Sequence, residues 1–245
     1  MRLIIEQNYQ QLSAWAASYI VKRINEFGPT AEKPFVLGLP TGGTPMGTYK
    51  ELIRLHKEGK VSFQNVVTFN MDEYCGLPQE HPESYHSFMW NNFFSHVDVK
   101  KENVNILNGN AEDLNAECAR YEEKIKSYGG IHLFMGGIGP DGHIAFNEPD
   151  SSFYYETHLT DLTDSTIEAN SRFFDSIDDV PKQAITMGLG TIMKAKKIVL
   201  LASGKNKHKA IASLLGDKIT SAVPATLLKV HPDVVIICDE AAYNG

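Results

Sequence analysis

The chain has 245 residues, long enough for a sizeable core in one large α/β domain. Hydrophobic residues make up 42% and charged residues 22%, the balance of an ordinary globular protein. The net charge is −7 and there is no block of Lys and Arg, which argues against nucleic acid and anionic membrane surfaces as partners.

Three cysteines, Cys75, Cys118 and Cys238, lie far apart with no C-x-x-C. They make neither a disulfide framework nor a structural zinc site, and they fit a reducing compartment. The opening MRLIIE turns polar at Glu6 and is too short for a signal peptide or an anchor. No apolar run approaches the roughly 20 residues that span a bilayer. The expected location is the cytoplasm.

In chain order, short apolar runs alternate with helical patterns. A helix is expected over 8–27, then a buried strand, PFVLGLP (34–40), then a helix over 44–58. VVTFN (66–70) reads as the next buried strand and 84–95 as a helix. VNIL (104–107) is a weaker strand, followed by a helix over 111–127 and a strand, IHLFMGG (131–137). Residues 150–183 are polar, rich in Asp, Ser and Thr, and weakly periodic. A long irregular stretch of this kind suits a lid segment. AITMGLG (184–190) is a weaker strand. KIVLLASG (197–204), a helix over 205–215 and VVIICDE (234–240) complete the series. Strands apolar at nearly every position suit a parallel sheet covered on both faces. The fold expected is a doubly wound, mainly parallel α/β sheet with helices on both faces. It is Rossmann-like and three-layered, in a single domain over 1–245 with its lid.

Ligands of such sheets bind beyond the carboxyl ends of the strands. Every informative motif here follows a strand. LPTGGTP (39–45) is a Gly-rich turn before a helix, with Thr44 placed to cap it and Pro45 at its first position. It is a tight βα turn, or an anion site in which Thr41, Gly42, Gly43 and Thr44 meet a phosphate. It is neither Walker A nor G-x-G-x-x-G. In FNMDEYCG (69–76), Asp72 and Glu73 are either solvated loop charges or a general base beside apolar walls. GPDGHIAFNEP carries Asp141, His143 and Glu148, which read as turn and surface polarity, as a metal site, or as an acid–His–acid relay. The relay fits best, since no second His ligand is in view; His81 and His86 are wrongly spaced for one helical face. SGKNKHK (203–209) sets lysines at a helix start, where they are unfavourable; they read as a solvated basic face, or as an anion site in which one lysine pairs with the anion. NSRFFD (170–175) offers Arg172, a surface side chain or a lid arginine closing on a phosphate. These residues point to an enzyme that moves protons on a small anionic substrate.

The same residues resemble the glucosamine-6-phosphate deaminase family. LGLPTGGTPMGTYK, VVTFNMDEYCGLPQEHPESYHSFMWNNFF, IHLFMGGIGPDGHIAFNEP and NSRFFD are similar to that family's motifs, and the likeness runs nearly to residue 240. The resemblance implies conversion of D-glucosamine 6-phosphate and water to D-fructose 6-phosphate and ammonia, without cofactor or metal. It implies Asp72 as the base acting on the C2 proton and His143 as the ring-opening group, assisted by Asp141 and Glu148. It implies a phosphate site at Thr41, Gly42, Gly43 and Thr44, with Arg172 and Lys207. A homo-oligomer is a further possibility that it carries.

Two other readings compete. A 6-phosphogluconolactonase shares the phosphosugar site but needs no base for a C2 proton. A phosphosugar-sensing effector domain would need a DNA-binding segment, and this acidic chain opens almost at once on the α/β pattern. Longer deaminases are hexamers activated by N-acetylglucosamine 6-phosphate. Ser151 and Ser152 of that activator site remain here, but its basic positions are His158 and Thr160, and the long C-terminal segment is missing after Gly245. Activation is therefore expected to be weak or absent. Ammonia release measured with and without the activator should differ little; a severalfold rise would refute the expectation.

Overall fold

The computed structural model describes residues 1–149 and 153–245. The chain opens with β1 (Arg2–Glu6), then α1 (Tyr9–Phe27), β2 (Phe35–Leu39), α2 (Met46–Lys57), β3 (Val66–Asn70) and β4 (Asp72–Tyr74). There follow α3 (Tyr85–Asn92), β5 (Val104–Asn105), α4 (Leu114–Ser127) and β6 (Leu133–Gly137). Beyond the catalytic-type loop come β7 (His158–Asp161), α5 (Asp164–Ser171), β8 (Gln183–Thr186) and α6 (Leu189–Met193). The chain ends with β9 (Ile198–Ala202), α7 (His208–Leu215), β10 (Val234–Asp239) and α8 (Glu240–Asn244).

Seven strands form one sheet in the order β1-β10-β9-β6-β2-β3-β5, and every pairing in it is parallel. This is the doubly wound sheet expected. Side chains along a strand alternate between its faces. Val36, Phe134, Leu200 and Ile236 face one layer, with Tyr121 and Ile125 of α4 and Ile211 and Leu214 of α7. Their neighbours Leu37, Met135, Leu201 and Ile237 face the other, with Leu12 and Ile20 of α1 and Leu52 of α2. Both faces are buried, which is why these strands are apolar throughout.

The first helix starts where Asn8 accepts the Gln11 N–H at 3.0 Å, and it stops at Gly28 in the left-handed conformation (φ 62°). β1 was not among the expected strands. It lies at the sheet edge and pairs with β10, so half of its side chains meet solvent and its apolar signal is short.

A second, antiparallel sheet has the order β4-β8-β7. The chain passes from the first sheet to the second at Met71. Its N–H donates to the Leu39 carbonyl of β2 and its carbonyl accepts the Met187 N–H. Residues 153–183 also depart from the irregular stretch expected. They hold β7 and α5, and Ile167 of α5 packs in a cluster with Tyr74, Phe146 and Ala184. Their polar sequence concealed this because β7 is an edge strand and α5 buries one narrow face. Ser151 and Ser152 lie outside the described residues. Among the described residues, no helix is long and apolar enough to cross a membrane.

Gly38 of β2 pairs with Phe134 of β6, and a Cβ at Gly38 would lie 2.7 Å from the Phe134 ring. Gly38→Ala should destabilise the fold by about 1–3 kcal/mol through overpacking. The urea midpoint should fall, and Gly38→Ala/Phe134→Leu should recover part of the loss. An unchanged midpoint would show that the two strands yield without strain.

Candidate active site

The carboxyl ends of β2, β3, β6 and β9 carry the loops 40–45, 71–72, 138–149 and 203–207. In the sheet order β6 and β3 flank β2, so successive crossovers leave in opposite directions and open a crevice. A cavity of about 550 Å³ occupies it. Thr41, Gly42, Gly43 and Thr44 line one side, Asp72 and Tyr85 the floor, Asp141 and His143 another wall, and Lys207 the rim. Residues 165, 166, 169 and 170 of α5 lie across it.

Gly42 holds φ 93°, a conformation that favours glycine, and so turns the chain sharply after β2. Thr44 does not cap α2 as expected. The position before the helix belongs to Pro45, and no side chain of the turn accepts a bond from the first N–H groups. Among the described residues, no backbone carbonyl accepts a hydrogen bond from the N–H of Thr41, Gly42, Gly43 or Thr44. Four successive amides beside the cavity therefore remain available to an anion.

Asp72 opens β4 at the point where the chain changes sheets, and it is buried. Burial, and next the Glu73 carboxylate, push its carboxyl up to about 8. Glu73 points the other way along the strand. It accepts the N–H groups of Tyr74, Tyr85 and His86 at 2.8, 3.0 and 2.8 Å. Burial raises the Glu73 carboxyl, and those three N–H groups offset part of the rise. A negative charge at the start of α3 is also favourable to the helix. The result is a pair of neighbouring acids with different tasks: Glu73 seats Tyr85 and α3, and Asp72 faces the cavity.

In the loop after β6, His143 Nδ1 lies 2.8 Å from Asp141 Oδ1 and 3.6 Å from Glu148 Oε2. The contact with Asp141 is close but not aligned as a linear hydrogen bond. Burial pushes the Asp141 carboxyl up, but the adjoining imidazole and the His143 backbone N–H outweigh it and hold the group at about 2. Asp141 is thus a fixed negative charge that orients the ring. Glu148 is buried behind the ring and does not line the cavity; its Oε1 accepts the Thr166 hydroxyl of α5 at 2.6 Å.

Several details hold this loop in shape. Gly139 leaves room for the His143 ring, which a Cβ would meet at 2.3 Å. Ala145 takes φ 54°, which costs a non-glycine residue about 1–2 kcal/mol. The Phe146 N–H bond to Thr186 and the Asn147 side-chain bond to the Met187 carbonyl secure it. Among the described residues, Asp141, His143 and Glu148 are also the group that could hold a metal ion, with ligand atoms within 4.8 Å of one another. The donor set serves a proton relay equally, since each acid already bears on the imidazole.

Lys207 ends a 3-10 turn (Lys205–Lys207) before α7, so the helix begins three residues later than the expected 205. Its burial lowers the ammonium's pKa, with Asp141 acting in the opposite sense. Arg172 is not brought to the cavity. It is exposed, and its guanidinium lies over the Phe173 ring at 4.7 Å. Of the activator-type positions, His158 stacks on Tyr154 at 4.0 Å, and burial lowers its pKa despite the Glu156 carbonyl nearby. Tyr85 and Thr166 were not foreseen as site residues. Their only sequence signal was position, Tyr85 at a helix start and Thr166 in a Thr/Asp-rich stretch.

Comparison with known proteins places this geometry. The family model of glucosamine-6-phosphate isomerases/6-phosphogluconolactonase matches residues 7–236. A glucosamine-6-phosphate deaminase of Parabacteroides distasonis is 61% identical over 99% of this chain and 90% of its own length. One of Haemophilus influenzae is 60% identical with the same coverage. A solved structure of a monomeric glucosamine-6-phosphate deaminase superposes with a TM-score of 0.95 at 47% identity, covering 100% of this chain and 99% of that one. A 6-phosphogluconolactonase from Leishmania guyanensis shares the fold, with a TM-score of 0.77 at 21% identity, 100% of this chain and 98% of that one being covered. From sequence and fold together, the chain belongs to the family of glucosamine-6-phosphate isomerases and 6-phosphogluconolactonases.

Proposed function

We infer that the chain is a glucosamine-6-phosphate deaminase, turning D-glucosamine 6-phosphate and water into D-fructose 6-phosphate and ammonia. The observation that carries this is a buried Asp72 held near neutral pKa in the same cavity as the Asp141–His143 pair. The names of the relatives at about 60% identity support it. A lactonase would have no use for a base of that strength beside the substrate carbons.

The chemistry assigned to each group follows from its surroundings. Phosphate would be held by the amides of the 41–44 turn and the Lys207 ammonium. His143, oriented by Asp141, takes the C1 hydroxyl proton and returns one to the ring oxygen, opening the pyranose. Asp72 takes the C2 proton, and the resulting enolamine is protonated at C1. Water then replaces the amino group at C2, and ammonia leaves. Residues 150–183 are proposed as a lid. Thr166 joins α5 to Glu148, so a movement of α5 would register at the imidazole. Closure of the same segment would bring Arg172 to the phosphate. Weak activation is proposed for the reason given above, and it is supported by the burial of His158, which lowers its pKa and so disfavours a cation at that position.

Ammonia release from glucosamine 6-phosphate by the purified protein tests the activity, and its absence would overturn the assignment. Asp72→Asn should lower kcat by about a hundredfold to ten-thousandfold, the usual worth of a positioned base. Asp72 accepts a proton only when ionised, so kcat/KM should rise with pH up to about 8. Glu73→Gln removes a neighbouring negative charge and should move that rise to lower pH; an unmoved profile would dissociate Glu73 from the basicity of Asp72.

For His143→Gln the informative measurement is the isotope effect with substrate deuterated at C2. Ring opening should become limiting, so the effect should shrink relative to the parent protein. An undiminished effect would remove His143 from ring opening.

A further inference from the structure

We propose that Tyr9, which lies outside every motif of the site, is a positioning residue for the phosphate turn and sets the affinity for the phosphorylated substrate. The proposal rests on the reading that the 41–44 turn receives phosphate.

Tyr9 is the first residue of α1, and unlike the four residues of the turn it does not line the cavity. Its hydroxyl lies 3.0 Å from the carbonyls of both Gly43 and Thr44, which share its one hydrogen, and it accepts the N–H of Gly47 at 2.7 Å. Three backbone groups of one five-residue stretch, Gly43 to Gly47, thus converge on one phenol. Helix α2 has no side-chain cap of its own, and the Tyr9 oxygen satisfies one of its first N–H groups instead.

The consequence for the cavity follows from peptide geometry. A trans peptide sets its C=O and the following N–H in opposite directions. A Gly43 carbonyl held toward Tyr9 therefore turns the Thr44 N–H away from Tyr9, and Thr44, unlike Tyr9, lines the cavity. That N–H belongs to the set with no backbone acceptor. Without the phenol, the Gly43–Thr44 peptide would be held more weakly, by a longer bond from the Met46 N–H to the Gly43 carbonyl at 3.3 Å.

Gly47 shows that the arrangement is built in. A Cβ there would lie 2.2 Å from Ser13 Oγ and 3.0 Å from the Tyr9 ring carbon that bears the hydroxyl. The absent side chain is what admits the phenol between α1 and the turn. Glycine inside the first turn of a helix is otherwise unfavourable by roughly 0.5–1 kcal/mol relative to alanine.

The test is steady-state kinetics of Tyr9→Phe, with inorganic phosphate as a competitive probe. The KM for glucosamine 6-phosphate and the Ki for phosphate should both rise about fivefold, the worth of one lost hydrogen-bond node, while kcat stays within about twofold. Gly47→Ala, which displaces the same phenol without removing it, should give the same split. A fall in kcat with KM and Ki unchanged, in either variant, would overturn the positioning role. Equal Ki for phosphate in the parent protein and both variants would do so too. If phosphate fails to compete in the parent protein, the reading of the turn fails first, and the two failures are thereby told apart.

Discussion

The whole arrangement depends on one constraint: all seven strands of the main sheet run in the same direction. A parallel strand needs a crossover, and the crossovers here cover both faces of the sheet with helices. Burial on both faces in turn favours apolar side chains at most positions of the central strands, which leaves the polar chemistry to the segments that follow them. Because the strands are parallel, the loops that follow them gather at one edge. The Gly-rich turn, the Asp72 junction, the His143 loop and Lys207 are separated by well over a hundred residues of chain. They meet because four strands end side by side.

Within that edge, electrostatics are set by depth. Asp72 sits where the chain leaves one sheet for another, and it loses water to both. Asp141 sits higher, half open to solvent, against an imidazole. The same functional group is therefore pushed up to about 8 in one case and held down at about 2 in the other. Such divergence is how a single cavity provides both a base near neutrality and a permanent negative charge. Glu73 and Tyr9 belong to a second tier. Neither lines the cavity, but each holds backbone beside it: Glu73 at the start of α3, Tyr9 at the start of α2.

The segment after the His143 loop is tied to the fold in another way. Glu122, buried on α4, accepts the Thr157 N–H and hydroxyl and the Thr191 hydroxyl, and so pins the chain just before β7. Beyond that anchor, α5 touches Glu148 through Thr166 and packs Ile167 in one cluster with Phe146 of the loop after β6. One end of the segment is tied to the body and the other reaches, through Glu148, the His143 ring.

Much of this was legible in the chain alone. The buried strands, their alternation with helices and the sheet class follow from hydrophobic runs, because burial on two faces writes itself into composition. Asp72, Asp141, His143 and the 41–44 turn were legible because each follows such a run. Three things were not. β1 and β7 are edge strands whose side chains meet solvent, so their pattern is diluted. The cap of α2 belongs to a phenol more than thirty residues away in sequence, and local reading assigned it to Thr44. The placement of Arg172 over Phe173, and of Lys207 at the cavity rim, depends on how α5 and the 3-10 turn before α7 pack. The sequence by itself determined which residues bury and therefore which way the sheet is wound. Only the tertiary structure decided which amides, phenols and carboxylates face each other across that edge, because those contacts join segments whose separation along the chain carries no local signal.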